Sequence, residues 1–290
     1  MKSVLSAIGL LLLYYVIIVV STTFSPALFM NIPASPANKH VVITAHRGAG
    51  GYAPENTLAA IRKGLASGAD RIEVDIHQSR DGQLFIMHDA TVDRTTNGHG
   101  LLKNFTSDSL KKLDAGSWFS PEYKGEPIPT LEEAFKLING KAVFVVELKH
   151  GSDVYPGIEE KVIDLIRKYN AYSWVVIHSF DDKVLERFHQ LDPRITLHKL
   201  FVFKTNFFPL IYDLKVHFGS LKDYNYVKEI SVYYKFVNKP LIKAVHRMGM
   251  KINAWTVDDP KIAQRLVNMG VDGIITNYPV EIARQINSEK

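Results

Sequence analysis

The sequence predicts an α/β fold, a TIM-type (β/α)8 barrel, and three observations carry that prediction. From residue 40 onward, short β-branched runs alternate with amphipathic stretches, with nine strand-like runs in all. That rhythm belongs to repeated βα units with a parallel sheet inside and helices outside. Between RIEVDIHQ and QLFIMHD lie only the four residues SRDG, far fewer than the dozen or so that a parallel crossover requires. These two runs must form a hairpin, and removing its returning arm leaves eight parallel strands. At 290 residues and 46% hydrophobic, the chain is long enough for one such body. An open doubly wound sheet is the second choice.

The elements follow in order. Residues 4–20, VLSAIGLLLLYYVIIVV, carry no charge, and after Lys2 none appears before Lys39. The run predicts one N-terminal transmembrane helix within residues 1–22, because a span takes roughly 17–25 apolar residues and the apolar core of a signal peptide roughly 7–15. A cleaved signal peptide, giving a secreted protein, is the alternative. Lys2 and the amino terminus are the nearby positive charges, so the remainder is expected on the extracytoplasmic side. Residues 23–39, with Pro26, Pro33 and Pro36, read as a linker, and 40–290 as the barrel domain.

The first strand, VVITAH, runs into HRGAGGYAPENTLAAI, where Gly48, Gly50 and Gly51 permit a tight turn and Asn56 is expected to cap the helix. In the hairpin, Arg80 and Asp81 form the expected turn, which sets Gln78 opposite Gln83 and Glu73 beside His88. Residues 91–130 are polar and weakly periodic, and read as an insertion on the same face. The pattern then repeats through AVFVVEL, WVVIHSF, ITLHKLFVF, ISVYYKF, KINAWTV and GIITN, each followed by a helical stretch or an irregular one. Residues 204–227 are rich in aromatics and read as loop packing.

Composition excludes several classes. The net charge of +5 suits an anionic ligand, but the basic residues are scattered, so no nucleic acid is expected. With no cysteine there is no disulfide, thiolate nucleophile or cysteine-ligated zinc. No obligate protein partner is predicted.

In a barrel the chemistry sits at the carboxyl ends of the strands. Polar residues stand there out of place: His46 and Arg47 after the first strand, Glu73 and Asp75 in the second, His88 at the end of the hairpin, Glu147 and Lys149 after AVFVV. Residues two apart on a strand share a face, so Glu73, Asp75 and Glu147 converge if those faces point inward. Three carboxylates so placed need a cation, and oxygen ligands suit a hard divalent ion, calcium or magnesium first and manganese also admissible. His46 and His88 suit a general acid/base pair, and Arg47 and Lys149 suit phosphate oxygens. His77, His99, His178, His189, His198, His217 and His246 read as structural. Trp255 offers an apolar wall to the substrate, a core role being equally compatible.

The same residues carry a resemblance. HRG followed by PENT, the E-x-D of Glu73 and Asp75, the HD of His88 and Asp89, AGSWF, IPTLEE, ELK at Glu147, SF at Ser179, AWTV at Ala254 and TNYP at Thr276 lie in order across residues 41–279. Together they resemble the glycerophosphodiester phosphodiesterase family. The resemblance implies a TIM barrel that hydrolyses glycerophosphodiesters to glycerol 3-phosphate and an alcohol. It implies His46 and His88 as the acid/base pair, Glu73, Asp75 and Glu147 as ligands of one divalent cation, and Arg47 with Lys149 on the phosphate. His46 is assigned as base and His88 as acid. Two alternatives are lysophospholipase D-type hydrolysis of membrane lyso-lipids and a non-catalytic glycerophosphodiester-binding protein.

Overall fold

The computed structural model describes residues 40–204 and 210–288. The expected transmembrane helix or signal peptide and the linker lie outside the described residues, among which no helix is long and apolar enough to cross a membrane. The chain runs through β1 (Val42–Ala45), α1 (Leu58–Ala66), β2 (Arg71–Gln78), β3 (Leu84–Ile86), α2 (Ser107–Leu110), α3 (Leu131–Ile138), β4 (Val143–Leu148), α4 (Ile158–Lys168), β5 (Val175–Ser179), α5 (Asp182–Leu191) and β6 (Thr196–Phe201). It continues with β7 (Phe203–Lys204), β8 (Leu210–Tyr212), β9 (Val216–Phe218), β10 (Glu229–Tyr233), α6 (Lys239–Arg247), β11 (Lys251–Trp255), α7 (Pro260–Met269), β12 (Gly273–Thr276) and α8 (Pro279–Ser288). Eight strands, β1, β2, β4, β5, β6, β10, β11 and β12, pair in parallel and close because β1 bonds both β12 and β2.

Alternation on the strands makes two cores. Ile72, Val74 and Ile76 of β2, and Phe144, Val146 and Leu148 of β4, are buried outside the barrel against the helices. The intervening residues face the interior. There Arg71 of β2 reaches across to Glu229 of β10 with two hydrogen bonds of 2.6 and 2.8 Å, and Asn253 of β11 donates to the same carboxylate at 2.8 Å. This polar plug fills the amino end of the barrel. The carboxyl end is left for the residues above it.

Three expectations are corrected. The hairpin turn holds three residues, not two: Gly82 takes φ +87° and donates to the Ser79 carbonyl at 3.0 Å, while Ser79 N–H donates to Gln83. A left-handed glycine at the end of a three-residue loop is the usual bulged solution. The register therefore moves by one, with Gln78 opposite Leu84, His77 opposite Phe85 and Ile76 opposite Ile86. Met87 bonds Asp75, so His88 is not beside Glu73. The cap of α1 is Thr57, whose hydroxyl accepts the Ala60 N–H at 3.2 Å, and not Asn56. Finally, residues 204–227 are more than loop: β7, β8 and β9 form a three-stranded antiparallel sheet. The segment 91–130 carries its own small core of Val92, Leu102, Leu110, Ala115 and Ile128 packed on Phe85 and Met87.

The plug sets a pH dependence. Burial alone would raise Glu229, but Arg71 and His198 outweigh it and hold the carboxyl at about 2 against a usual 4.5. A depressed carboxylate contributes stability that is present above pH 4.5 and is lost as pH falls towards 2, here about 3 kcal/mol. Glu229→Gln, which leaves Arg71 unpaired, should lose about 3–5 kcal/mol at pH 7 in urea unfolding. The gap from wild type should narrow as pH falls below 4.5; a gap independent of pH would show that the carboxylate is not the ionised partner.

Candidate active site

The site begins where β1 ends. Arg47 takes φ +51° and Gly48 φ +84°, so the chain turns sharply, and a Cβ on Gly48 would come within 2.7 Å of the Ile61 backbone nitrogen in α1. Only glycine allows that approach. The turn aims the Arg47 N–H at Glu73 Oε2, 2.8 Å away, and the Arg47 carbonyl accepts from Asn56 N–H at 3.0 Å. Asn56, itself at φ +59°, uses its amide like a short strand: Nδ2 donates to Asp75 Oδ2 at 2.8 Å and Oδ1 accepts the Asp75 N–H at 3.2 Å. Asn56 is thus a site residue, freed from helix capping by Thr57.

The β2–β4 register sets Asp75 directly beside Glu147 and Glu73 beside Val145. Carboxylate oxygens of Glu73, Asp75 and Glu147 lie within 4.8 Å of one another, all three buried. The Lys149 ammonium stands 2.8 Å from Asp75 Oδ1 and 2.5 Å from Glu147 Oε1. Arg47 Nε lies 3.7 Å from Asp75, and its Nη1 donates to Glu55 at 2.6 Å. Of the predicted residues, Glu73, Asp75, Glu147, Arg47 and Lys149 therefore meet in one cluster.

The electrostatics are uneven. Burial, then the charges of Asp75 and Glu147, push Glu73 well above the usual carboxylate range. Burial would do the same to Asp75, but Lys149, His88 and Arg47 together hold it well below. Glu147 is raised by burial in spite of Lys149. Burial lowers Lys149, yet Asp75 and Glu147 outweigh it and its ammonium is held more firmly than usual. Glu73 Oε1 is buried with no hydrogen-bond partner among the described residues. A buried carboxylate oxygen left open beside two more carboxylates fits a hard divalent cation, which this donor set of oxygens alone would hold.

The two histidines have opposite partners. His46 Nδ1 lies 2.8 Å from Asn277 Oδ1, and Asn277 Nδ2 donates to Asp258 at 2.7 Å. A carboxylate only accepts, so Asp258 fixes which way the amide points, and Asn277 can only accept from His46. Burial and the Arg47 charge lower His46 to about 4. His88 Nδ1 instead donates to the Asp89 carboxylate at 2.6 Å. Asp89 and Glu55 both accept from Arg94, at 2.7 Å each, so the chain of contacts runs from His88 back to Arg47. Burial lowers His88, with Asp75 and Asp89 opposing.

Trp255, at the end of β11, packs edge-on against Phe180 with ring centroids 5.5 Å apart, and against Tyr233 at 5.4 Å. Sequence reasoning gave Asn56 the role of a helix cap and passed over Asn277, Asp258, Glu55 and Arg94. Asn56 and Asn277 lay inside the PENT and TNYP motifs, which was the available signal. Among the histidines read as structural, His77 bonds Tyr155 at 2.7 Å and His246 bonds Asp272 at 2.7 Å, while His178 is buried in the barrel against the His198 ring.

Known proteins are similar to this chain along the barrel. The pattern of the glycerophosphoryl diester phosphodiesterase family matches residues 46–281. A glycerophosphodiester phosphodiesterase of Caldanaerobacter subterraneus subsp. tengcongensis is 39% identical over 244 residues, 82% of this chain and 94% of that protein. One from Bacillus subtilis is 35% identical over 279 residues, covering 87% and 90%. Among solved structures, an Oleispira antarctica phosphodiesterase in complex with the product sn-glycerol-3-phosphate superposes with a TM-score of 0.73 at 29% identity, covering 85% of this chain and 96% of that one. The glycerophosphodiester phosphodiesterase of Agrobacterium tumefaciens gives 0.71 at 28%, covering 84% and 99%. A match along nearly the whole barrel, with relatives covered almost end to end, makes the chain an enzyme and a member of the glycerophosphoryl diester phosphodiesterase family.

Proposed function

We propose that the protein hydrolyses glycerophosphodiesters to glycerol 3-phosphate and an alcohol with a divalent cation held by Glu73, Asp75 and Glu147, His46 as base and His88 as acid. The observation that carries the assignment is the contrast in histidine partners. His46 donates its Nδ1–H to a neutral amide, which keeps the ring neutral at rest and leaves the lone pair on Nε2 to accept a proton. His88 rests on a carboxylate, which stabilises the imidazolium that a proton donor needs. The same Nε2 of His46 takes the proton whether water or the glycerol 2-hydroxyl attacks.

Charge counting supports the cation. With all three carboxylates ionised, Arg47 and Lys149 leave one net negative charge, which repels a diester anion. A divalent ion, calcium or magnesium, would reverse the sign to one net positive and supply charge to the non-bridging phosphate oxygens. Arg47 and Lys149, already within this cluster, would then turn part of their donor capacity to the phosphate. Trp255 with Phe180 and Tyr233 would wall the alcohol side. The reading that the domain works outside the cytoplasm rests on the uncharged run 4–20 after Lys2.

Release of glycerol 3-phosphate from glycerophosphocholine tests the pair. His46→Ala and His88→Ala should each lower kcat by about 10²–10⁴ with the fold retained. A diester with a leaving group that departs unprotonated, such as p-nitrophenolate, should restore most of the rate to His88→Ala and none to His46→Ala. The reverse pattern would exchange the roles, and near wild-type turnover in either variant would remove it from the mechanism.

The cation is tested by turnover and by melting. Chelation should lower turnover roughly a hundredfold or more, restored by calcium or magnesium. The raised carboxyl of Glu73 means that its ionised form opposes folding above pH 4.5. In chelator at pH 7, Glu73→Gln should therefore melt at or above wild type. On adding the ion wild type should gain a few degrees, at roughly 2–4 °C per kcal/mol, and the variant little. An equal gain in both would place the ion elsewhere.

Asn277→Ala should lower kcat by roughly 10–100-fold with little change in KM. Nitrogen NMR of His46 should show the Nδ1–H tautomer in wild type and a mixture in the variant. A tautomer unchanged by the substitution would leave Asn277 with a packing role alone.

A further inference from the structure

The small sheet after β6 has a sided composition. Phe203 pairs with Tyr212, Tyr212 with Val216, and Leu210 with Phe218. Directly paired residues share a face, so these five side chains, all apolar or aromatic, stand on one side of the sheet. Ile211 and His217, paired with each other, point the opposite way: Ile211 is fully buried in the core, and His217 bonds Asp213 at 3.0 Å. On the first face Val216 is 65% exposed and Phe218 79%, and Leu214 in the connecting turn is 62% exposed. The sheet is tied to the barrel from below. Lys199 of β6, with no exposed surface, donates to Asp213 at 2.6 Å and lies 2.7 Å from Asp182. The apolar face is thus held outward by a buried ion pair.

This face continues to the active site. Phe203 touches Phe236 with centroids 5.1 Å apart, Phe236 approaches Tyr233 at 6.1 Å, and Tyr233 packs on Trp255 at 5.4 Å. The sheet leaves the barrel at the carboxyl end of β6, the end that carries the catalytic cluster. Exposed Lys215 sits between Leu214 and Val216, and Lys222 and Lys235 are exposed on the flanking segments, with Asp223 as an exposed acid beside Lys222. Aromatic and aliphatic side chains mixed with lysines are the composition that the interface of an anionic bilayer favours. The uncharged run 4–20 supplies a second membrane-seeking element in the same chain, and two such elements hold far better than one.

The geometry points to the outer face of β7, β8 and β9 as a docking surface for an anionic lipid bilayer, which seats the catalytic mouth at the headgroups and favours diesters presented there over those in solution. The docking is independent of the reading in Proposed function. The preference among substrates rests on it.

The chain has no cysteine, so Phe218→Cys in the 290-residue chain gives a single site for an environment-sensitive fluorophore, and Ala66→Cys, exposed at the last residue of α1 at the opposite end of the barrel, gives the control. With phosphatidylglycerol-containing vesicles the label at 218 should shift to the blue and be quenched by spin-labelled lipid, the label at 66 remaining in water. A label at 218 that stays in water on vesicle-bound protein overturns the proposal. So does one that becomes buried without lipid as protein concentration rises, which would assign the face to a second copy. The double variant V216E/F218E should lose roughly tenfold in kcat/KM on vesicle-held diesters and keep its rate on glycerophosphocholine. Equal losses on both would make the face structural. If wild type turns over neither substrate while the labels behave as expected, the phosphodiesterase reading fails and the docking surface stands.

Discussion

Water cannot screen the three carboxylates at the mouth of this barrel, and much of the surrounding structure serves to keep them there. Glu73 and Asp75 share the inner face of β2, and the parallel register with β4 brings Glu147 alongside. Left alone the cluster would protonate or push the strands apart. Instead each carboxylate meets a donor that another element supplies: the Arg47 amide from the turn after β1 for Glu73, the Asn56 amide before α1 and Lys149 beyond β4 for Asp75, and Lys149 again for Glu147. The left-handed turn at Arg47 and Gly48 is therefore part of the electrostatics. Without it the backbone amide would not point at Glu73.

A second constraint is that the two imidazoles at this mouth, His46 and His88, rest on unlike partners. An amide behind one imidazole and a carboxylate behind the other separate their preferences without any difference in the rings themselves. The supports come from remote parts of the chain. Asn277 follows β12, which closes the barrel against β1, and Asp258 follows β11. Asp89 leads into the insertion, where Arg94 joins it to Glu55 and through Glu55 to Arg47. Closure of the barrel and packing of the insertion thus both set the partners of these two imidazoles.

That remoteness explains what was readable in the sequence. Strand alternation is local, so Glu73, Asp75 and Glu147 could be placed on inward faces from their spacing, and His46 and Arg47 at a strand end from the glycines behind them. The hairpin was legible because four residues cannot make a crossover, but its register was not: the turn depends on Gly82 adopting φ +87°, which moves every pair by one. Asn56 reads as a cap because asparagine often is one, and only the fold shows that Thr57 takes that role. Asn277 lies 231 residues from His46, and no periodicity reports a contact of that range. The small sheet was missed because its strands are three residues or fewer and its outward face is apolar, the reverse of the pattern that marks a half-buried strand.

Among the described residues geometry alone would nominate two places for a cation, since Asp182, Asp213 and His217 also bring ligand atoms within 4.8 Å of one another. Counting charge does not separate them: two carboxylates with Lys199 leave one net negative charge, as do three with Arg47 and Lys149. Burial does. The side chain of Asp182 is 34% exposed, so water screens its remaining charge, and Tyr224 donates to it as well. Glu73 is 2% exposed and keeps one oxygen with no donor among the described residues. An unscreened charge in a low-dielectric mouth is costly in a way that an exposed one is not. Held charged, the first cluster would call for an ion, whereas in the second the buried ammonium of Lys199 already faces both carboxylates and fastens the sheet to the barrel.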